Sequence, residues 1–191
     1  MIQSIFPLYF YNLFPLPNKE EVIEKIKSVR VDEKSSRAID WNKYCQVKVE
    51  QLYLNEVGYL LAPSIRLFLE SINEKSHNLS VRSIWRNTYT QGGYQEIHDH
   101  SFGDRSDVSG CIFLEDQEDD SSRFFFFNRH STDLSEKWKE NMLDNNMSLS
   151  HYFINPKAGD IIFFPSHMLH GVTVHRRDEP RTTISFNLKF A

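Results

Sequence analysis

The sequence predicts a mainly β fold with flanking helices, organised as a double-stranded β-helix or jelly roll. Three observations predict it. From residue 81 onward, eight short runs rich in branched and aromatic residues follow one another, each closed by turn residues. Before that point, two stretches show helical rather than alternating periodicity. Aromatics make up 14% of the chain, 15 of them Phe, which favours strands and a well-filled interior. At 191 residues the chain is long enough for one domain with a real core. We expect a single domain over 1–191, in which a strand and helices of 1–80 pack on a barrel formed by 81–191.

The elements follow in order. Residues 1–17 are apolar and uncharged, and 5–14 read as an early strand and loop. Lys19-Glu20-Glu21 after Pro17-Asn18 opens a helix, carried by Val22, Ile23 and Ile26 to about Val29. Residues 31–40 are polar and read as a loop. A second helix falls within 55–75, with Ile65, Leu67, Phe68, Leu69 and Ile72 on its apolar face. The strands are expected at 81–90, 94–98, 109–114, 123–128, 151–154, 160–164, 171–175 and 181–190. The Phe124–Phe127 run reads as a buried strand. Residues 115–120 read as a solvated acidic turn, because they lack the loop pattern of a calcium site. Residues 131–146 form a polar insertion, a loop or a short helix around Trp138.

Composition narrows the function. The net charge is −4 and the basic residues are scattered, so nothing draws the chain to nucleic acid. The N-terminal stretch has no basic region or small-residue cleavage site, and it is too short and proline-broken to span a bilayer. Two cysteines, Cys45 and Cys111, make no disulfide framework. We therefore expect a cytoplasmic protein with a small-molecule or peptide substrate, no nucleic-acid partner and no membrane partner. Nothing in the sequence fixes the oligomeric state.

Two clusters carry chemistry. His98 and His100 lie two apart, so on a strand they face the same side, with Asp99 on the other. Ser101 to Asp104 reads as loop, which places the pair at a strand end. Imidazole suits iron, zinc and copper, although a lone His-x-His also fits an exposed polar strand end. His170 follows an apolar strand and a proline-stopped turn and offers a third ligand. Eleven residues later Arg181 opens the last strand, where a guanidinium can clamp a carboxylate through paired hydrogen bonds. Thr183 shares its face. A surface arginine is the alternative, but the spacing from His170 beside a separate His-x-His favours function. Asn87, Tyr89 and Tyr94 precede the metal pair and are candidates to line a co-substrate or substrate pocket, whereas Trp85 reads as core. His167 reads as a loop residue and His175 as a strand-end surface residue; either is a candidate to support the ligands.

These residues resemble the 2-oxoglutarate and Fe(II)-dependent dioxygenases, and more narrowly the prolyl-hydroxylase-like oxygenase group of marine bacteria and their phages. The likeness runs through Ser83-Ile84-Trp85, Gln95-Glu96-Ile97-His98-Asp99-His100, Ser109-Gly110-Cys111-Ile112-Phe113-Leu114, Pro156 to Ser166, His170-Gly171-Val172 and Arg181-Thr182-Thr183-Ile184-Ser185-Phe186-Asn187. It covers about residues 81–190, and the first eighty match only loosely. It implies iron at one mouth of a jelly roll, held by His98 and His170. Arg181 and Thr183 would take the distal carboxylate of 2-oxoglutarate. It further implies O2 as oxidant, succinate and CO2 as products, and hydroxylation of a C–H bond, with a peptidyl or amino-acid side chain as the expected substrate. A phage origin would place the protein in the host cytoplasm.

The departure is at residue 100, where the wider superfamily has Asp or Glu. We expect His100 as third ligand, with Asp99 in reserve should a bulge turn it inward. Two other readings remain open from sequence: a cupin-like three-histidine dioxygenase without 2-oxoglutarate, and a non-enzymatic β-sandwich binding module. Residues 103–108 and 131–146 are candidate lids.

Overall fold

The structure is a computed structural model that describes residues 9–36, 41–74, 77–101, 106–117, 121–129, 137 and 149–191. Its elements in chain order are β1 (Asn12–Pro15), α1 (Lys19–Ser28), α2 (Glu33–Ser36), α3 (Trp41–Tyr44), β2 (Val47–Gln51), α4 (Leu54–Val57), a 3-10 turn (Gly58–Leu61) and α5 (Ala62–Ser71). There follow β3 (Leu79–Tyr89), β4 (Gln95–His98), β5 (Val108–Phe113), β6 (Phe124–Phe127), β7 (His151–Phe153), β8 (Asp160–Pro165), β9 (His170–Val172) and β10 (Arg181–Phe190). The strands form two sheets, in the orders β1-β8-β5-β10-β3-β2 and β4-β9-β6-β7. Every pairing is antiparallel. This is the expected jelly-roll arrangement, with the larger sheet extended at both edges.

α1, α4 and α5 cover the outer face of the larger sheet, whereas α3 brings Trp41 to the inner cluster. α1 carries Glu20 and Glu21 in its first turn and Lys25 and Lys27 in its last, which suits the helix dipole, and it buries Val22 and Ile26. α5 starts at Ala62 with Pro63 in its first turn, where a missing N–H costs nothing. α5 is the helix expected within 55–75, and α4 and a 3-10 turn precede it. Phe68 from α5 is fully buried and stacks on Phe163 of β8 at 4.8 Å. Each such buried side chain contributes about 1.5–3 kcal/mol.

Alternation along the central strands then separates two environments. On β10, Ile184, Phe186 and Leu188 join the apolar cluster under the helices. Arg181, Thr183 and Ser185 point the other way, into the slot between the sheets. On β3, Ile84 faces the helices, while Trp85 and Tyr89 face the second core cluster between the sheets. Phe124 and Phe126 of β6 fill that inner cluster from the opposite sheet.

Three elements were not expected: residues 33–36 and Trp41–Tyr44 each form a helical turn, and Val47–Gln51 pairs as β2 on the edge of the larger sheet. The β2 edge is covered by Asn42, whose amide donates to the Val49 carbonyl at 3.1 Å and accepts from the Val49 N–H at 2.5 Å. A side chain thus stands in for a neighbouring strand. The acidic turn at 115–120 is partly described, and Glu115 in it accepts the Thr182 N–H at 2.9 Å. Most of the two candidate lids and the region around Trp138 lie outside the described residues. Among the described residues, no helix is long and apolar enough to cross a membrane.

Gly110 of β5 lies directly across from Phe186 of β10. A Cβ at Gly110 would sit 2.2 Å from Phe186 Cζ and 2.4 Å from the Ile162 carbonyl oxygen. The Gly110→Ala variant should therefore lose about 1–3 kcal/mol of stability through overpacking. Chemical denaturation checks this, and a wild-type midpoint would contradict it.

Candidate functional site

The site is built where β4 meets β9. His98 lies across from His170, and Gln95 across from Val172, so β4 carries one residue more than β9 between these pairs. That bulge re-phases β4. Gln95 and His98 both line the slot, three positions apart, where strict alternation would have turned one of them out. The extra residue lies before His98, so it does not turn Asp99 inward. Asp99 instead accepts hydrogen bonds from the Ser101 N–H at 3.1 Å and the Ser101 hydroxyl at 2.9 Å, which closes the loop after β4.

His98, His100 and His170 each offer a ring nitrogen within 4.8 Å of the others. Their ring centroids lie 4.4 Å (His98–His170), 5.1 Å (His98–His100) and 5.2 Å (His100–His170) apart. Nδ1 of His98 bonds the Glu96 carbonyl at 2.7 Å, and Nδ1 of His170 bonds the Met168 carbonyl at 2.8 Å. A carbonyl only accepts, so each Nδ1 carries the proton and each Nε2 presents a lone pair. The His100 backbone is anchored by its N–H to the Ser166 carbonyl at 2.9 Å. Burial pushes all three imidazoles below the usual histidine range, His100 to about 3, and the nearby His98 adds to the effect on His100 and His170. All three are therefore neutral near pH 7.

Arg181 stands in the same slot and is 3% exposed. Nη1 donates to the Ser122 hydroxyl at 3.0 Å, and Nη2 to Gln117 Oε1 at 3.2 Å, while Nε is buried with no partner. Among the described residues, no carboxylate lies within ion-pair distance of it. Asn87 is fully buried and donates to Thr183 Oγ1 at 3.2 Å and Ser185 Oγ at 2.9 Å, which orients the hydroxyls beside the arginine.

The slot thus gathers His98, His100, His170, Arg181 and Thr183. Asn87 sits directly behind it. Tyr94 does not line it: this residue follows the Gly92-Gly93 turn, is 36% exposed, and lies outside the slot. The tyrosine that does line it is Tyr89, whose hydroxyl donates to Gln95 Oε1 at 2.6 Å. His175 is not a surface residue. It is 1% exposed, and its ring joins the Ser122 N–H (3.0 Å) to the Glu179 carbonyl (2.8 Å), so it holds the residue that holds Arg181.

Sequence reading missed Trp41 and the role of Glu96. Trp41 packs 4.5 Å from the His98 ring. Glu96 accepts from Trp41 Nε1 at 2.6 Å and from the Cys45 thiol at 2.7 Å. Burial, then the hydrogen bond to Glu96, pushes the Cys45 thiol up to about 11, so it keeps the proton it donates. No local motif marks these three, which meet only through the fold. Gln117 and Ser122 were hidden for the same reason.

A jelly roll with clustered neutral imidazoles at one strand end and a buried arginine in the same slot offers donors for a metal ion and a charge for an anion. A family described as "Putative 2OG-Fe(II) oxygenase" has a model that matches residues 83–187, more than half of the sequence. The chain belongs to this family of 2-oxoglutarate and Fe(II)-dependent oxygenases. No curated protein matches it in sequence.

Similar solved structures include a 2OG-Fe(II) oxygenase-family oxidoreductase from Burkholderia pseudomallei, with TM-score 0.66, 12% identity, and coverage of 94% of this chain and 84% of that one. HygX from Streptomyces hygroscopicus, with nickel, 2-oxoglutarate and hygromycin B bound, gives TM-score 0.62 at 13% identity, over 97% of this chain and 84% of that one. The viral collagen prolyl hydroxylase of Paramecium Bursaria Chlorella virus-1, in complex with 2-oxoglutarate, gives 0.58 at 13% identity, over 95% and 96%. These likenesses are of fold. Family membership makes the protein an enzyme that uses Fe(II), 2-oxoglutarate and O2, and it sets aside both the binding-module reading and the dioxygenase without 2-oxoglutarate.

The buried imidazoles have a cost at acid pH. In the unfolded chain each histidine titrates near 6.5, whereas in the fold burial lowers all three, His100 to about 3 and His170 well below its ordinary value. The folded state then binds fewer protons, so the metal-free protein loses stability as pH falls from about 6.5 towards about 3. Each unit of depression is worth up to about 1.4 kcal/mol. Thermal unfolding of metal-free protein at several pH values should show a steeper fall in Tm for wild type than for His100→Phe. Equal slopes would contradict the assignment.

Proposed function

We propose that the protein is a hydroxylase in which His98, His100 and His170 hold Fe(II), Arg181 anchors 2-oxoglutarate, and the oxidised group is a C–H bond of a small molecule or a peptidyl side chain. One observation carries the reading: three neutral imidazoles and a buried guanidinium without a carboxylate partner among the described residues meet in a single slot. Imidazole nitrogen suits Fe(II), and three ligands on one side leave the remaining positions for co-substrate and O2. A buried positive charge is costly unless an anion meets it, and a dicarboxylate supplies one.

With 2-oxoglutarate and O2, the bound iron supplies the oxidation: 2-oxoglutarate is cleaved to succinate and CO2, one oxygen atom of O2 going to succinate and the other to the substrate. The chain's own residues orient and shield. Arg181 fixes the distal carboxylate, and Ser122 and Gln117 hold the guanidinium plane. Thr183, whose Oγ1 accepts from Asn87, has its proton available for the same carboxylate. The Glu96 and Met168 carbonyls hold the proton on Nδ1 of His98 and His170, so both rings keep the ligating tautomer. Phe124, Phe164 and Trp41 wall the slot and exclude water. One structural neighbour was solved with hygromycin B bound, and another is a viral collagen prolyl hydroxylase, which supports a small molecule or a peptide as substrate.

Metal titration separates His100 from Asp99. The His100→Ala variant should bind Fe(II) at least about 100-fold more weakly, and Asp99→Ala should stay within about twofold of wild type. The reverse order would move the third ligand to Asp99. Succinate release from 2-oxoglutarate should require all three histidines, and survival of that reaction in His170→Ala would sink the reading.

A further inference from the structure

Five buried side-chain polar atoms among the described residues have no hydrogen-bond partner, and two of them are nitrogens: Nε of Arg181 and Nε1 of Trp85. The other three are oxygens, on Asn18, Ser64 and Ser106, and none of these residues lines the slot. Both nitrogens belong to residues that do. An indole N–H can only donate. A buried donor with no partner in the fold calls for an acceptor from outside it, water or a ligand.

The two donors stand at different ends. Arg181 lies across from Tyr89, and Trp85 across from Ser185, four residues further along β10. That is about 13 Å of extended strand. Trp85 is 7% exposed and its ring meets that of His100 edge to face, with centroids 5.6 Å apart. One unpartnered donor is therefore at the far end of the slot and the other beside the histidine cluster.

2-Oxoglutarate carries a carboxylate at each end, and the distal one already has Arg181 in the reading above. A carboxylate that gives one oxygen to a metal keeps a second oxygen, which needs a donor if it is buried. Several nearby donors are committed, and the Ser185 hydroxyl, which accepts from Asn87, is the other donor at this end. The Tyr89 hydroxyl is given to Gln95, the Asn87 amide to Thr183 and Ser185, and Nδ1 of His98 and His170 to carbonyls. Phe113, Phe124 and Phe164 supply the apolar wall.

We propose that Trp85 is a co-substrate-binding residue, whose indole N–H donates to the keto-side carboxylate of 2-oxoglutarate. The proposal rests on the slot being the 2-oxoglutarate site. It gives Trp85 a polar task in addition to its place in the core, and it makes the slot a pair of separated donors matched to a dicarboxylate.

The test uses the full chain, 15N-labelled and loaded with Zn(II), which blocks turnover. Three tryptophans give three indole N–H resonances, and that of Trp85 is assigned through its contacts to the His100 ring. Adding 2-oxoglutarate should move the Trp85 proton downfield, further than either other indole, and Zn(II) alone should not. In parallel, calorimetry of Trp85→Phe should show 2-oxoglutarate binding weakened about tenfold with Zn(II) affinity unchanged. If the histidine resonances respond to 2-oxoglutarate while the Trp85 indole stays still, the proposal is overturned and the site reading stands. If wild type binds Zn(II) but neither resonance nor heat responds to 2-oxoglutarate, both fall. The wild-type resonance decides even if Trp85→Phe fails to fold.

Discussion

Side-chain alternation along β10 divides this molecule into a part that stabilises it and a part that reacts. One row, Ile184, Phe186 and Leu188, is buried under α1 and α5 with Phe163 and Phe68. The other row, Arg181, Thr183 and Ser185, faces the slot. A polar row in the middle of a sheet is tolerable only because the apolar row behind it supplies the burial. The close approach of Gly110 and Phe186 serves the same end, since β5 must lie flush against β10 for Cys111 and Phe113 to wall the slot.

The opposing sheet works by fixing protons rather than charges. Carbonyls of Glu96 and Met168 take the Nδ1 protons of His98 and His170, and the bulge in β4 brings the first of these rings to the second. Three neutral ligands would leave a divalent metal its full charge, and Arg181 adds another positive charge in the same slot. Positive charge held away from water calls for an anion, so metal and dicarboxylate should bind with positive coupling. A carboxylate at position 100 would have offset part of that charge. With histidine as the proposed ligand there, that balance would fall on the co-substrate.

Much of this was legible in the sequence. Branched and aromatic runs closed by turn residues marked the strands from β3 to β10, and alternation is clearest on β10, where one face packs under the helices and the other lines the slot. The His-x-His pair and the spacing from His170 to Arg181 marked the cluster, since these residue types are costly to bury without a purpose. What escaped were contacts with no local signature. β2 is a short edge strand whose Lys48 and Glu50 pair on its outer side, and its charges hid the alternation of Val47 and Val49. His175 reads as a polar strand end, yet it is buried because the loop carrying Ser122 folds over it. Tyr94 and Tyr89 are five residues apart on either side of a turn, and only the turn's direction decides which of them enters the slot. The bulge in β4 inserts a single residue and leaves no motif.

The histidine cluster and Arg181 are proposed to form a single site for iron and 2-oxoglutarate. The direct measurement is an anaerobic titration of the Fe(II)-loaded protein with 2-oxoglutarate, following visible absorbance, in wild type and Arg181→Ala. A saturable metal-to-ligand charge-transfer band in wild type, lost or strongly weakened in the variant, is the expected result. Iron binding without a band, or a band that saturates equally in Arg181→Ala, would contradict it.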